Sequence, residues 1–137
     1  MIPALFFRKI RRVCRRRSAL HHKVFARSSR AEYEKHKEAA RNLITGKIAD
    51  FNTFYHFNFG RITIRNQRSR WGSCSKKGNL NFNYRLSLIS NDLVDYVIVH
   101  ELCHLGEFNH SKDFWNLVAK TIPNHAQLRK QLHKIKF

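Results

Sequence analysis

Two histidines four residues apart enclose a glutamate in the segment His100-Glu101-Leu102-Cys103-His104. On an α-helix of 3.6 residues per turn, His100 and His104 stand one above the other on one face, so both imidazoles can reach a single Zn²⁺ at about 2.0–2.1 Å. Glu101 is turned about 100° from His100, off the ligand direction but within reach of a water held on the metal. Spacing therefore separates ligand from base. Gly106 can turn the chain after the helix and bring a third imidazole, that of His110, back to the same ion. Three protein ligands and an open fourth position describe a catalytic zinc rather than a closed structural one. The chemistry such a site performs is hydrolysis. Zinc lowers the pKa of its water from 15.7 to about 7 and polarises the scissile carbonyl, while Glu101 carries a proton from the water to the leaving amine. Two idle histidines beside a solvated glutamate are the bland alternative, and burying charge without a partner weighs against it.

The elements that must hold these residues can be read from periodicity. Leu93, Val94, Tyr96, Val97, Ile98, Val99, Leu102, Cys103 and Leu105 are apolar nearly all round, so a helix starting at Ser90 or Asn91, with Asp92 in its first turn and Gly106 at its end, is buried. Ser111 and Asp113 cap a further helix carrying Phe114, Trp115, Leu117, Val118 and Ile122 up to Pro123, and a short terminal helix carries Leu128, Leu132 and Ile135. Upstream, Ser29 with Glu32 forms a capping box and opens a long helix through Tyr33, Ala40, Leu43, Ile44, Ile48, Phe51, Phe54 and Tyr55, which Gly60 closes. Arg61 to Arg65 alternates as a strand. Arg70 to Ser75, a Lys76-Lys77-Gly78-Asn79 turn, and a return strand with Leu80, Phe82, Tyr84, Leu86 and Leu88 on one face make a hairpin. The expected class is α+β: a small antiparallel sheet or hairpin packed on a long N-terminal helix and a buried active-site helix.

Three segments in order, Arg68-Ser69-Arg70-Trp71-Gly72-Ser73-Cys74-Ser75, Gly78-Asn79-Leu80-Asn81-Phe82-Asn83-Tyr84-Arg85-Leu86, and His100 to Trp115, resemble the YgjP-like zinc metallopeptidases, relatives of the SprT-like metalloproteases. The resemblance covers about residues 28–137. It implies a zincin-like fold, one zinc per chain held by His100, His104 and His110, Glu101 as catalytic base, a protein or peptide substrate, and one strand of the hairpin as a rail for extended peptide. Metzincins share the histidine spacing, but their glycine three residues after the second histidine is Glu107 here, and Met1 is the only methionine for a methionine turn.

Other residues carry two readings each. Arg70, Trp71, Asn81 and Asn83 are candidates for substrate contact; the alternatives are core packing for Trp71 and satisfied backbone groups for the other three. Cys103 reads as a buried small hydrophobe. His125 and His133 read as solvated, and Asp113 as a first-turn acid that can also orient an imidazole.

The chain has 137 residues and a formal net charge of +18, and residues 1–30 hold ten Lys/Arg and no acid. Residues 28–137 form the expected metallopeptidase domain, and 1–27 a basic arm, amphipathic or disordered. Within the arm, Arg8, Lys9, Arg11, Arg12, Arg15, Arg16 and Arg17 attract phosphate, so sequence-independent contact with DNA or RNA is expected. Anionic lipid and a merely solubilising role are the alternatives. The charge also keeps open a nucleic-acid-binding module whose zinc only stabilises the fold, and the motif alone admits zinc hydrolysis of a non-peptide bond. An odd number of cysteines without a C-x-x-C pair, and no signal or transmembrane pattern, point to a reducing, cytoplasmic compartment.

Overall fold

The computed structural model describes residues 29–135, so the expectations for Arg8 to Arg17 lie outside the described residues. Helix α1 (Arg30–Tyr55) begins where the cap demands, with the Glu32 N–H donating to Ser29 Oγ at 3.1 Å. It stops earlier than expected. His56, not Gly60, ends it, taking the left-handed region at φ 55° and donating its N–H to Asn52 O at 2.9 Å. Asn52 explains the stop: its side chain accepts from Phe57 N–H and donates to Phe57 O, both at 2.9 Å, supplying the polar partners of a further turn.

Three short strands follow, β1 (Ile62–Arg65), β2 (Gly72–Cys74) and β3 (Leu80–Asn83), in the order β1-β3-β2. The hairpin is present: β2 and β3 are antiparallel, and the turn is closed by Gly78 at φ 75° with Ser75 N–H on Asn79 O at 2.9 Å. The sheet as a whole is mixed rather than antiparallel, because β1 runs parallel to the central strand with Ile62 opposite Leu80 and Ile64 opposite Phe82. The return strand is also shorter than its alternation suggested. After Asn83 the chain turns into a 3₁₀-helix (Tyr84–Leu88), started by the Asn83 side chain accepting from Arg85 N–H at 3.2 Å. Tyr84 and Leu86 are buried there all the same.

Helix α2 (Asn91–Cys103) lies at the centre, packed on α1, β2 and the two helices that follow, α3 (Lys112–Ala119) and α4 (His125–His133). Every residue from Leu93 to Val99 is buried, as its all-round apolarity requires. Cross-ties fix α1 to its neighbours: Tyr33 Oη donates to Ile64 O at 3.0 Å, Tyr55 Oη donates to Leu117 O at 3.0 Å, and Lys47 pairs with Asp95 of α2. Ser111 caps α3, accepting from Phe114 N–H at 3.4 Å. Among the described residues no helix is long and apolar enough to cross a membrane.

Candidate metal centre and catalytic cleft

The last turn of α2 and its C-cap residue deliver His100 and His104 to one spot, and the loop before α3 returns His110 to it. His100 Nε2 lies 3.2 Å from His104 Nε2 and 3.0 Å from His110 Nε2, and the three ligand atoms lie within 4.8 Å of one another. Nitrogens bound to one tetrahedral zinc at about 2.0–2.1 Å sit about 3.3 Å apart, close to the two spacings from His100. Phe114 forms the floor, its ring centroid 4.9, 4.6 and 4.8 Å from those of His100, His104 and His110. Because Ser111 caps the helix that carries Phe114, the cap also positions this floor.

The tautomers agree with a metal. His104 Nδ1 lies 3.0 Å from Glu107 O, and a carbonyl only accepts, so Nδ1 holds the proton and Nε2 presents its lone pair. At His100 the contacts are on the Nε2 side, since Nδ1 is buried without a hydrogen-bond partner. Burial, reinforced by His104, His110 and Arg129, pushes the His100 imidazole down to about 3, and burial also lowers His110. Neutral imidazole is the form that binds metal. The donor set therefore fits a divalent cation that accepts nitrogen ligands.

Glu101 faces a cleft of about 460 Å³ lined also by Trp71, Gly72, Tyr96, His100 and His110. Its residue exposure is 7%, and burial pushes the carboxyl up to about 8 against the lowering pull of Arg70. Gly72 of β2 makes this seat: a Cβ there would stand 2.8 Å from Glu101 Cγ and 2.9 Å from Oε1.

The other sequence candidates divide. Trp71 does both things weighed for it, lining the cleft while 9% exposed in the core. Arg70 is exposed and acts on Glu101 through its charge. Asn83 is fully buried and braces the preceding loop, donating to Gln67 O at 2.7 Å and Arg70 O at 3.1 Å. Asn81 reaches Ser73 Oγ at 3.4 Å and lines a different hollow, beside β1. Cys103 is fully buried. Asp113 sits in the first turn of α3.

Sequence reasoning passed over the opposite wall. Trp115, Arg129 and His133 line the cleft, and Trp115 stacks on His110 with centroids 5.6 Å apart. His125, read as solvated, stacks on Trp115 at 5.1 Å. The available signal was the i, i+4 spacing of Arg129 and His133 beside the apolar pair Leu128 and Leu132.

Comparison with known proteins gives three findings. The family described as YgjP-like, metallopeptidase domain matches residues 11–135, so the matched span takes in part of the basic segment that the resemblance above excluded. Two crystal structures share the fold. The metallopeptidase zymogen abylysin of Pyrococcus abyssi superposes with a TM-score of 0.57 at 19% identity, over 69% of this chain and 92% of that one. The zymogen jannalysin of Methanocaldococcus jannaschii gives 0.54 at 20%, over 69% and 94%. The search of curated proteins gives no match.

Proposed function

The chain belongs to the YgjP-like metallopeptidase family, and from that premise we propose that it is a zinc-dependent peptidase whose ion is held by His100, His104 and His110 and whose general base is Glu101. The observation that carries this reading is the convergence of three imidazole nitrogens next to a buried carboxylate that opens on a cleft. When bound there, zinc acidifies a water and polarises the scissile carbonyl. The side chains do the rest. Glu101 accepts the proton of the attacking water and returns it to the leaving nitrogen, and its raised affinity for that proton suits a group that must hold it between the two steps. Gly72 leaves the carboxylate room to approach the reacting atoms. β2 is an edge strand, so its outer side offers main-chain groups to an extended peptide, which favours a peptide over other hydrolysable substrates.

The domain at 28–137 carries this chemistry in our reading, and the arm at 1–27 holds it near DNA or RNA through phosphate contacts, as ten Lys/Arg without an acid in residues 1–30 favour. The test is to purify the full chain, assay its metal, and incubate it with an unfolded protein, with and without single-stranded or duplex DNA. One zinc per chain, cleavage abolished by a chelator and restored by zinc, and stimulation by DNA are expected. Bound zinc without cleavage under any of these conditions, together with tight and salt-sensitive DNA binding, would instead leave a binding module.

A further inference from the structure

Beyond the three histidines, the cleft continues into a second hollow of about 650 Å³, and the two share Trp115, Arg129 and His133 as lining residues. The shared wall is α4. Leu128 and Leu132 bury its inner face, which leaves Arg129 and His133 at the cleft and Lys130 and Lys134 further round. His125 completes the lining. Among the described residues no acidic side chain lines the second hollow and Glu101 is the one acid lining the first, and the sequence from Phe114 to Phe137 contains neither Asp nor Glu. The charge is therefore uncompensated where substrate must pass.

We propose that this trough is a specificity site that selects peptide substrates bearing Asp or Glu close to the scissile bond, with Arg129 as its central residue. The inference rests on the peptidase reading above and names the substrate class that reading leaves open. Arg129 is exposed, and its guanidinium carbon sits 5.2 Å from the centre of the Trp115 ring, so the indole steers the fork while its donors stay available. A carboxylate is the side-chain group that fits a guanidinium in two parallel hydrogen bonds. The guanidinium's field also reaches the cleft: at the Tyr96 hydroxyl, which burial pushes up, Arg129 acts in the opposite direction. Nucleic acid suits the trough less well. Single strands bind through open aromatic faces interleaved with charge, whereas Trp115 is already stacked on His110 and His125.

The experiment has a cleavage arm and a binding arm. The full zinc-loaded chain and the variant R129E/K130E/K134E digest the same mixture of denatured-proteome peptides, and mass spectrometry reads the residues around each cut. The same changes are then placed in the E101Q background, and binding of fluorescein-labelled peptides with an Asp/Glu, an Asn/Gln or a Lys/Arg block is followed by anisotropy. The three positions are exposed, so charge reversal there should leave the fold intact, and R129Q serves as the milder variant. Expected is about a tenfold preference for acidic over neutral peptides, about 1.4 kcal/mol, weakened by salt, reduced in R129Q and inverted by the triple reversal. The basic segment at 1–27 is common to all proteins compared, so the difference belongs to α4. Equal use and equal binding of the three peptide classes, or an acidic preference that survives reversal, overturns the proposal. So does a reversal that abolishes binding of a labelled oligothymidine while peptide preference stays unchanged. Acidic-selective binding lost on reversal, with no cleavage by wild type, upholds the trough and sinks the peptidase reading instead.

Discussion

Helix α2 buries two carboxylates six positions apart, and their surroundings are opposite. Asp95 is 5% exposed and paired with Lys47 of α1; Glu101 is 7% exposed and opens on a cleft, with Arg70 acting on it only through its charge. Burial raises both pKa values, and at Asp95 the Lys47 ammonium works against that rise. One carboxylate is a fastener between two helices. The other is kept short of a cation, in a seat cut for it by Gly72, an arrangement that suits the proton acceptor we propose it to be. On that proposal the same helix uses one costly feature for stability near its start and for chemistry at its end.

The largest expected effect separates the two. Glu101→Gln should lower peptide cleavage by about two to four orders of magnitude, with zinc content unchanged and thermal stability equal or higher. Loss of zinc along with activity would assign Glu101 to metal retention instead. Asp95→Ala should do the reverse, costing about 3–5 kcal/mol in urea unfolding because it strands the Lys47 ammonium in the interior, while specific activity of the folded fraction is kept. Lys47→Met/Asp95→Leu should recover most of that loss, since the two groups act as a pair. If the double variant is as unstable as the single one, the pair is not what joins α1 to α2.

A third test asks whether the Glu101 seat disfavours charge in the metal-free protein. With the folded value near 8 and an ordinary carboxyl at 4.5, the folded state holds the extra proton between those values. Stability contributed by this group is then fully present below pH 4.5 and is lost as pH rises through 8. His100 works the other way, gaining stability from about pH 3 to 6.5, so the Glu101 loss should stand out above pH 6.5. Unfolding free energies of metal-free wild type, from urea titrations, should therefore fall by about 2 kcal/mol between pH 6.5 and 8, and those of Glu101→Gln should stay flatter over that range. Parallel profiles would mean that the carboxylate is solvated in the free protein.

The part of this arrangement that sequence revealed is the part written in local spacing. His100, Glu101 and His104 share one helix, Ser29 and Ser111 lie at their caps, and Gly78 sits in its turn, so each is legible within a few residues. Partners across the fold are not. Nothing in Arg61 to Arg65 says that β1 runs parallel to β3, and a period of two cannot reveal that Tyr84 and Leu86 are buried by a 3₁₀-helix capped from Asn83. Lys47 and Asp95, or Trp115 and Arg129, carry no mutual mark in the chain, because each pair is made by helices packing. The far wall of the cleft was hidden for this reason.

Gly72→Ala makes the finest cut, because it touches neither carboxylate chemically. The added methyl would stand 2.8 Å from Glu101 Cγ and 2.9 Å from Oε1, closer than real Cβ contacts come, and either the carboxylate or β2 must move by a few tenths of an ångström or more. A displacement of that kind at the base costs up to about 100-fold in rate, so kcat should fall by about 10- to 100-fold with zinc content and urea midpoint close to wild type. The metal-free pH profile gives an independent reading, since a shifted carboxylate meets more water and its high proton affinity should relax toward 4.5. Asp95 lies beyond the reach of this methyl, so the Lys47 link and the stability it supplies should be untouched. If Gly72→Ala keeps full activity, β2 does not define the seat, and the contrast between the two carboxylates reduces to the presence of Lys47 at one and its absence at the other.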